Sequence, residues 1–256
     1  MPDDFYSSKY FIDKTIEFVA SNEDSDQPFF AYIPFQAVHI PVQAPKEYSD
    51  KYAGVYDEGW SVMREKRRQT AVALGVIPKE SEIKVTPGTI DWSSMRDELR
   101  RYDARRMEVY AGMVDAMDFH IGRLMDYLKS IDEYENTVFI FTSDNGAASS
   151  PLLDSDGNSV LKNWFDRVGY STDYETLGEK GSWVAIGPGN ASIANSPLLY
   201  YKFHANEGGL RVPLIMSGPG ITRHGEITDE FTFVTDLAPT ILNITGTTEH
   251  RGNFNG

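Results

Sequence analysis

Three features of the 256-residue sequence predict an α/β fold with a mainly parallel sheet and helices on both of its faces. Apolar runs of strand length, "PFFAYIPF" at 28–35, "TVFIFTSD" at 137–144 and "LRVPLIMSGPG" at 210–220, are separated by segments whose apolar residues recur every three or four positions. The runs are apolar without strict alternation, the pattern of strands buried on both faces, as in parallel sheets. Hydrophobic residues make up 41% of the chain, with 14 Tyr and 14 Phe, which supports a sizeable core and excludes a disordered composition.

Along the chain, "YSSKYFIDKTIEFVASN" places Tyr10, Phe11, Ile16, Phe18 and Val19 at helical intervals, with a polar stop at Asn22 and "EDSDQP". The strand expected at 28–35 runs into "QAVHIPVQAP". There Pro41 and Pro45 keep the backbone out of a regular ladder and leave His39 on a loop just beyond the strand. Residues 46–95, with "EKRRQ" and "KESEIKVTPG", read as a solvated excursion rather than core. From 98 to 131, Met107, Tyr110, Ala111, Val114, Met117, Ile121, Leu124, Met125 and Leu128 mark a long amphipathic helix. The second strand follows, then more than 50 residues rich in Gly, Ser and Asn in which "VLKNWFDRV" looks helical, and then the third strand. "TDLAPTILNITG" closes as a helix capped at Thr235 or Asp236 and stopped at Gly246.

Acidic residues number 38 against 24 basic, a formal charge of -14, which argues against nucleic acid or an anionic membrane as a partner. The absence of cysteine removes disulfides, thiolate metal sites and a cysteine nucleophile from these residues. No run of 18 apolar residues forms a membrane span. "MPDDFYSSKY" has neither the basic nor the apolar region of a signal peptide, and compartment and oligomeric state stay open.

Ligand crevices of open α/β sheets lie beyond the carboxyl ends of strands, where His39 and the Asp144-Asn145 pair both fall. Asp144 and Asn145 offer a carboxylate and an amide carbonyl, hard oxygen donors that suit Ca2+ or Mg2+, and Gly146 permits the backbone turn. "DNG" is equally an ordinary turn. His39 is a candidate acid or donor to an anionic oxygen, because imidazole titrates near neutrality, or a loop histidine without a role. Lys202 could face an anion or simply be solvated, and Glu207-Gly208-Gly209 reads as a tight entry turn into the third strand. In the 147–200 loop, Trp164 and Trp183 either stack on a substrate ring or pack the loop. Two glycosylation sequons start at Asn190 and Asn243.

In order, "FFAYIPFQAVHIPVQAP", "MVDAMDFHIGRLMDYLKS", "TVFIFTSDNGA" and "SPLLYYKFHANEGGLRVPLIMSGPG" resemble the later part of the catalytic domain of the sulfatase family. The closest likeness is to the bacterial arylsulfatase type of the alkaline-phosphatase-like superfamily. It extends from about Phe5 to the "DLAPTILNITG" helix. The resemblance implies an alkaline-phosphatase-like fold and hydrolysis of a small-molecule or saccharide sulfate ester. It further implies Ca2+ held by Asp144 and Asn145, and contacts from His39 and Lys202 to the sulfate or the leaving oxygen.

Members of that family carry, towards their amino terminus, an Asp-Asp pair that completes the calcium site and a "C/S-x-P-x-R" motif. The Cys or Ser of that motif becomes the formylglycine nucleophile. Neither cysteine nor "S-x-P-x-R" occurs here, no strand precedes Asp3 and Asp4, and "SGPGITR" at 217–223 fails the spacing. The expectation is that 1–256 is a partial sulfatase catalytic domain, short at both ends and inactive alone. A phosphonate monoester hydrolase or phosphodiesterase of the same superfamily is the nearest alternative, although those enzymes tend to have histidine where Asn145 stands. A non-catalytic remnant or anion-binding homologue is the other.

Overall fold

The computed structural model describes residues 4–22, 25, 27–150, 164, 165 and 167–247. In chain order the elements are α1 Ser7–Ala20, α2 Lys46–Ser49, α3 Gly59–Ala73, α4 Asp97–Ser130, β1 Phe139–Thr142, α5 Gly187–Ala194, α6 Glu207–Leu210, β2 Leu214–Ser217 and α7 Leu237–Ile244, with short 3₁₀ turns between them.

Helix α4, 34 residues long, organises the rest. Asp97 and Glu98 in its first turn and Lys129 in its last oppose the ends of the helix dipole. One stripe of it is buried. Towards its start, Met107 meets Trp60 and Met63 of α3 and Ile193 of α5. In its middle, Val109 and Met113 join Val42, Ala44, Leu177, Val184, Ile186, Ala191 and Tyr201. Towards its end, Leu124 and Leu128 pack on Ile12 and Val19 of α1. Arg106, also buried, pairs with Asp103 and donates to the Ala185 carbonyl, while the Asn190 amide donates to the Asp103 carbonyl at 2.8 Å. The sequon at Asn190 is therefore a buried tie between α5 and α4, whereas Asn243 is exposed.

The structure corrects the sequence-based expectation at three places. Among the described residues the two strands form a two-stranded antiparallel sheet, pairing Phe139 with Ser217 and Thr142 with Leu214, in place of the mainly parallel one expected. Residues 28–35 form no strand. Ile33 and Phe35 pack against the α1–α4 core, but the segment has no ladder partner among the described residues, and Phe30 and Tyr32 stay 73% and 80% exposed. Apolar character alone does not make a strand, because the ladder hydrogen bonds need a neighbour. Residues 46–95 do supply core. Trp60 is buried and donates from Nε1 to Ile90 O at 3.0 Å, and buried Arg64 donates to Lys84 O at 2.8 Å. The polar "EKRRQ" face of α3 hid one apolar turn, Trp60 and Met63, behind it.

Helices α1 and α7 fall close to expectation, whereas α5 lies in the Gly-, Ser- and Asn-rich stretch for which the sequence predicts no helix beyond "VLKNWFDRV". α7 follows a 3₁₀ turn at Val234–Asp236, Asp236 accepts from the Phe233 N–H at 2.8 Å, and Gly246 ends the segment at φ +69°. Of "VLKNWFDRV", Trp164, Phe165, Arg167 and Val168 are helical, and the remainder lies outside the described residues, as does Asp3.

Helix α2 docks on α4 at Gly112, where an added Cβ would lie 2.6 Å from the Ser49 backbone. Gly112→Ala must push α2 away and is expected to cost about 1–3 kcal/mol in urea unfolding. A second test concerns His120, buried on α4 between the rings of Tyr6, Tyr48 and Phe119. Its Nδ1 accepts from Arg123 Nη1 at 3.1 Å, and Arg123 also donates to Asp13 at 2.7 Å. Burial, and then the Arg123 charge, hold the imidazole below its ordinary value. A depressed histidine stabilises the fold above the unfolded value of about 6.5, and that contribution is lost as the pH falls below it. The urea midpoint should fall from about pH 7.5 to about pH 5.5, with a smaller fall in His120→Phe.

Candidate active site

The four candidate residues lie on three segments that share the central core. β1 ends at Thr142, whose hydroxyl donates to Pro213 O at 3.0 Å, and the chain turns through Ser143, whose Oγ donates to Asn145 O at 2.9 Å. Asp144 emerges exposed and Asn145 half-buried. The turn is stitched to the segment that bears Lys202. Gly146 N–H donates to Gly209 O at 3.1 Å, Lys202 N–H to Ala147 O at 3.0 Å, and Gly208 N–H to Leu199 O at 2.9 Å. Asp144-Asn145 and Lys202 are thus set against each other through backbone.

These contacts explain the glycines. A Cβ on Gly146 would stand 1.8 Å from Gly208 O, one on Gly208 2.0 Å from Tyr200 O, and one on Gly209 2.0 Å from His204 O. Glu207-Gly208-Gly209, expected as an entry turn, is the first part of α6, and its glycines serve close backbone approach. Tyr200 and Phe203, on either side of Lys202, have φ of +65° and +78°, a region side chains seldom adopt and one that recurs at functional sites. Lys202 is half-buried, with its Nζ 5.6 Å from the centre of the Phe203 ring. Beside it Tyr201 is buried in the central core, and burial pushes its phenol up against a smaller opposing pull from a hydrogen bond with Ser149.

His39 sits exposed on the expected loop. Its neighbours Ala37, Val38 and Ile40 pack on the core that also takes Ala147 and Tyr201, and Val42 and Ala44 pin the loop by donating to Val184 O and Gly178 O. His39 Nδ1 lies 2.9 Å from Ile40 O. A carbonyl can only accept, so Nδ1 carries the proton and Nε2 is the ring nitrogen left for other chemistry.

Asp144 and Asn145 match a hard cation in donor type, but Ca2+ takes about 6–8 oxygen ligands, and no group of three or more His, Cys, Asp or Glu suited to a metal occurs among the described residues. Trp164 and Trp183 pack edge to face with centroids 5.7 Å apart, and Phe165 and Tyr170 complete the cluster, which is the packing alternative for these rings. A groove of about 340 Å³ between α1 and residues 29–34, lined by Phe11, Phe18, Phe30 and Tyr32 among others, contains none of the four candidates.

One residue that sequence reasoning missed is Asn195. Its Oδ1 accepts from Ala147 N–H at 3.1 Å and its Nδ2 donates to Gly208 O at 2.7 Å. An asparagine directly after a short helix carries no periodic signal, so nothing in the sequence sets it apart.

Because the neighbour of each glycine is backbone, Gly208→Ala is expected to cost about 1–3 kcal/mol or more in urea unfolding. Gly122→Ala on α4, where an added Cβ meets nothing within 4 Å, should instead stabilise by about 0.5–1 kcal/mol.

Comparison with known proteins bears on these segments as a set. The sulfatase family model matches residues 1–247. An uncharacterized sulfatase of Schizosaccharomyces pombe is 42% identical over 94% of this chain and 43% of its own length. The arylsulfatase of Klebsiella aerogenes is 34% identical over 96% of this chain and 52% of its own. The chain thus spans about half the length of these curated relatives. Among solved structures, Ps i-CgsB in complex with k-i-k-neocarrahexaose aligns with a TM-score of 0.52 at 21% identity, over 93% of this chain and 34% of its own. A Bacteroides fragilis protein assigned to the sulfatases aligns with a TM-score of 0.52 at 18% identity, over 97% and 38%. These two share its fold. On the family match and the two curated relatives together, the chain belongs to the sulfatase family.

Proposed function

We propose that these residues form part of the catalytic domain of a calcium-dependent sulfuric ester hydrolase acting on a small-molecule or saccharide sulfate monoester. The supporting observation is the backbone stitching of the Lys202 arm to the Asp144-Asn145 loop, with the His39 loop on the same core, in a sulfatase-family chain. Asn145 supports a hard metal and a sulfate over the softer metal of the phosphodiesterase alternative.

In this reading Asp144 and Asn145 hold Ca2+, which when bound supplies Lewis-acid polarisation of a sulfate oxygen and orients the ester. Lys202 places an ammonium near the sulfate oxygens, where it offsets the charge that grows as the S–O bond breaks. His39, with Nδ1 committed to Ile40 O, gives a proton to the leaving oxygen from Nε2 when protonated. The chain has no cysteine and no "S-x-P-x-R", so the formylglycine nucleophile and the remaining metal ligands are assigned to sequence outside these 256 residues. We assign the antiparallel β1–β2 pair likewise to a larger sheet. The exposed Phe141, Ile215, Phe30 and Tyr32 are consistent with strands that would cover them.

The purified chain should release no sulfate from 4-nitrophenyl sulfate beyond one equivalent. A chimera that adds the part of the Klebsiella aerogenes arylsulfatase not matched here should turn over repeatedly, lose activity on calcium chelation, and slow about 100- to 1,000-fold in Lys202→Ala. Repeated turnover by the chain alone overturns the division of the site. A folded chimera faster on a phosphodiester than on the sulfate overturns the substrate class.

A further inference from the structure

The side chain of Asn195 reaches both halves of the stitched site. Its Oδ1 takes the Ala147 N–H, two residues beyond Asn145, while its Nδ2 gives one hydrogen to Gly208 O at 2.7 Å and the other to Tyr200 O at 3.2 Å, two residues before Lys202. A primary amide, with one acceptor and two donors on a short stem, meets all three demands at once. The residue is itself anchored. Its N–H donates to Ala191 O at the end of α5, and α5 is held to α4 by Asn190 and by buried Ile193.

We infer that Asn195 is a positioning residue that fixes the Asp144-Asn145 metal loop against the Lys202 arm, a role that rests on the calcium reading proposed above. It touches neither metal nor substrate. Its effect passes through the Ala147 amide to the ligand loop and through the Tyr200 and Gly208 carbonyls to the lysine. Groups that orient metal ligands from one layer out commonly change metal affinity by about 10- to 100-fold when removed. An aliphatic side chain would leave one N–H and two carbonyls without this partner, and Asp would keep the acceptor but set a carboxylate against both carbonyls.

The test uses two readouts, amide hydrogen exchange at Gly146, Ala147 and Lys202 in the 256-residue chain, and terbium(III) luminescence of the calcium site in the Klebsiella aerogenes chimera, which supplies the remaining ligands. Asn195→Ala should deprotect the three amides while α4 stays protected, and should weaken terbium binding about 10-fold. Asn195→Asp should keep the protection of Ala147 and lose that of Gly146. Unchanged protection in Asn195→Ala overturns the lock. Lost protection with unchanged terbium affinity overturns the positioning role and leaves a merely structural one. Failure of the unaltered chimera to bind terbium overturns the calcium reading and the positioning role with it, whereas the exchange data still decide whether the lock exists.

Discussion

Burial of one stripe of helix α4 is the interaction on which everything else rests. Each of the three cores draws residues from it, Met107 at one end, Val109 and Met113 in the middle, Leu124 and Leu128 at the other. A helix of this length would be marginal alone, and its stability comes from what it covers. With so little sheet among the described residues, α4 also takes the place a central strand would have as common reference. The His39 loop, the 177–191 segment and the Lys202 arm are registered to one another because each packs on its middle section.

The site built on that reference owes its shape to main chain more than to side chains. Three glycines allow carbonyls to approach where any Cβ would collide, and Asn195 joins what remains. The side chains assigned to chemistry are thereby left outside the packing, with Asp144 and His39 exposed and Lys202 half-buried. Such a division holds the spacing of these groups fixed without enclosing them. It also sets one cation, Lys202, beside the Asp144 turn within a chain of net charge -14, whose overall field would not draw in an anion.

Much of this was legible in the sequence, and for physical reasons. The periodicity of 98–131 located α4 to within a residue at each end, because a half-buried helix writes its face every three to four positions. The loop position of His39 follows from Pro41 and Pro45, and the ordered motifs carry the family resemblance. What could not be read depends on partners far along the chain. Strand pairing was misjudged because a strand is defined by its neighbour, α3 was misjudged because two apolar side chains do not make a pattern, and the structure of 28–35 differs from its composition for the first of these reasons. Asn195 was invisible because its worth lies in three backbone groups at 147, 200 and 208.

Asn190 has a consequence for how the molecule is made. Its amide is sealed against Asp103, yet Asn-Ala-Ser is a sequence that the eukaryotic secretory machinery can modify before folding is complete. A glycan attached at that nitrogen would remove the hydrogen to Asp103 O and would have no room between α5 and α4. In a secretory host, folding and glycan transfer would compete for one side chain, and any molecule modified there would be unable to dock α5. A bacterial cytoplasm removes the competition, which makes the choice of host a structural decision for this chain.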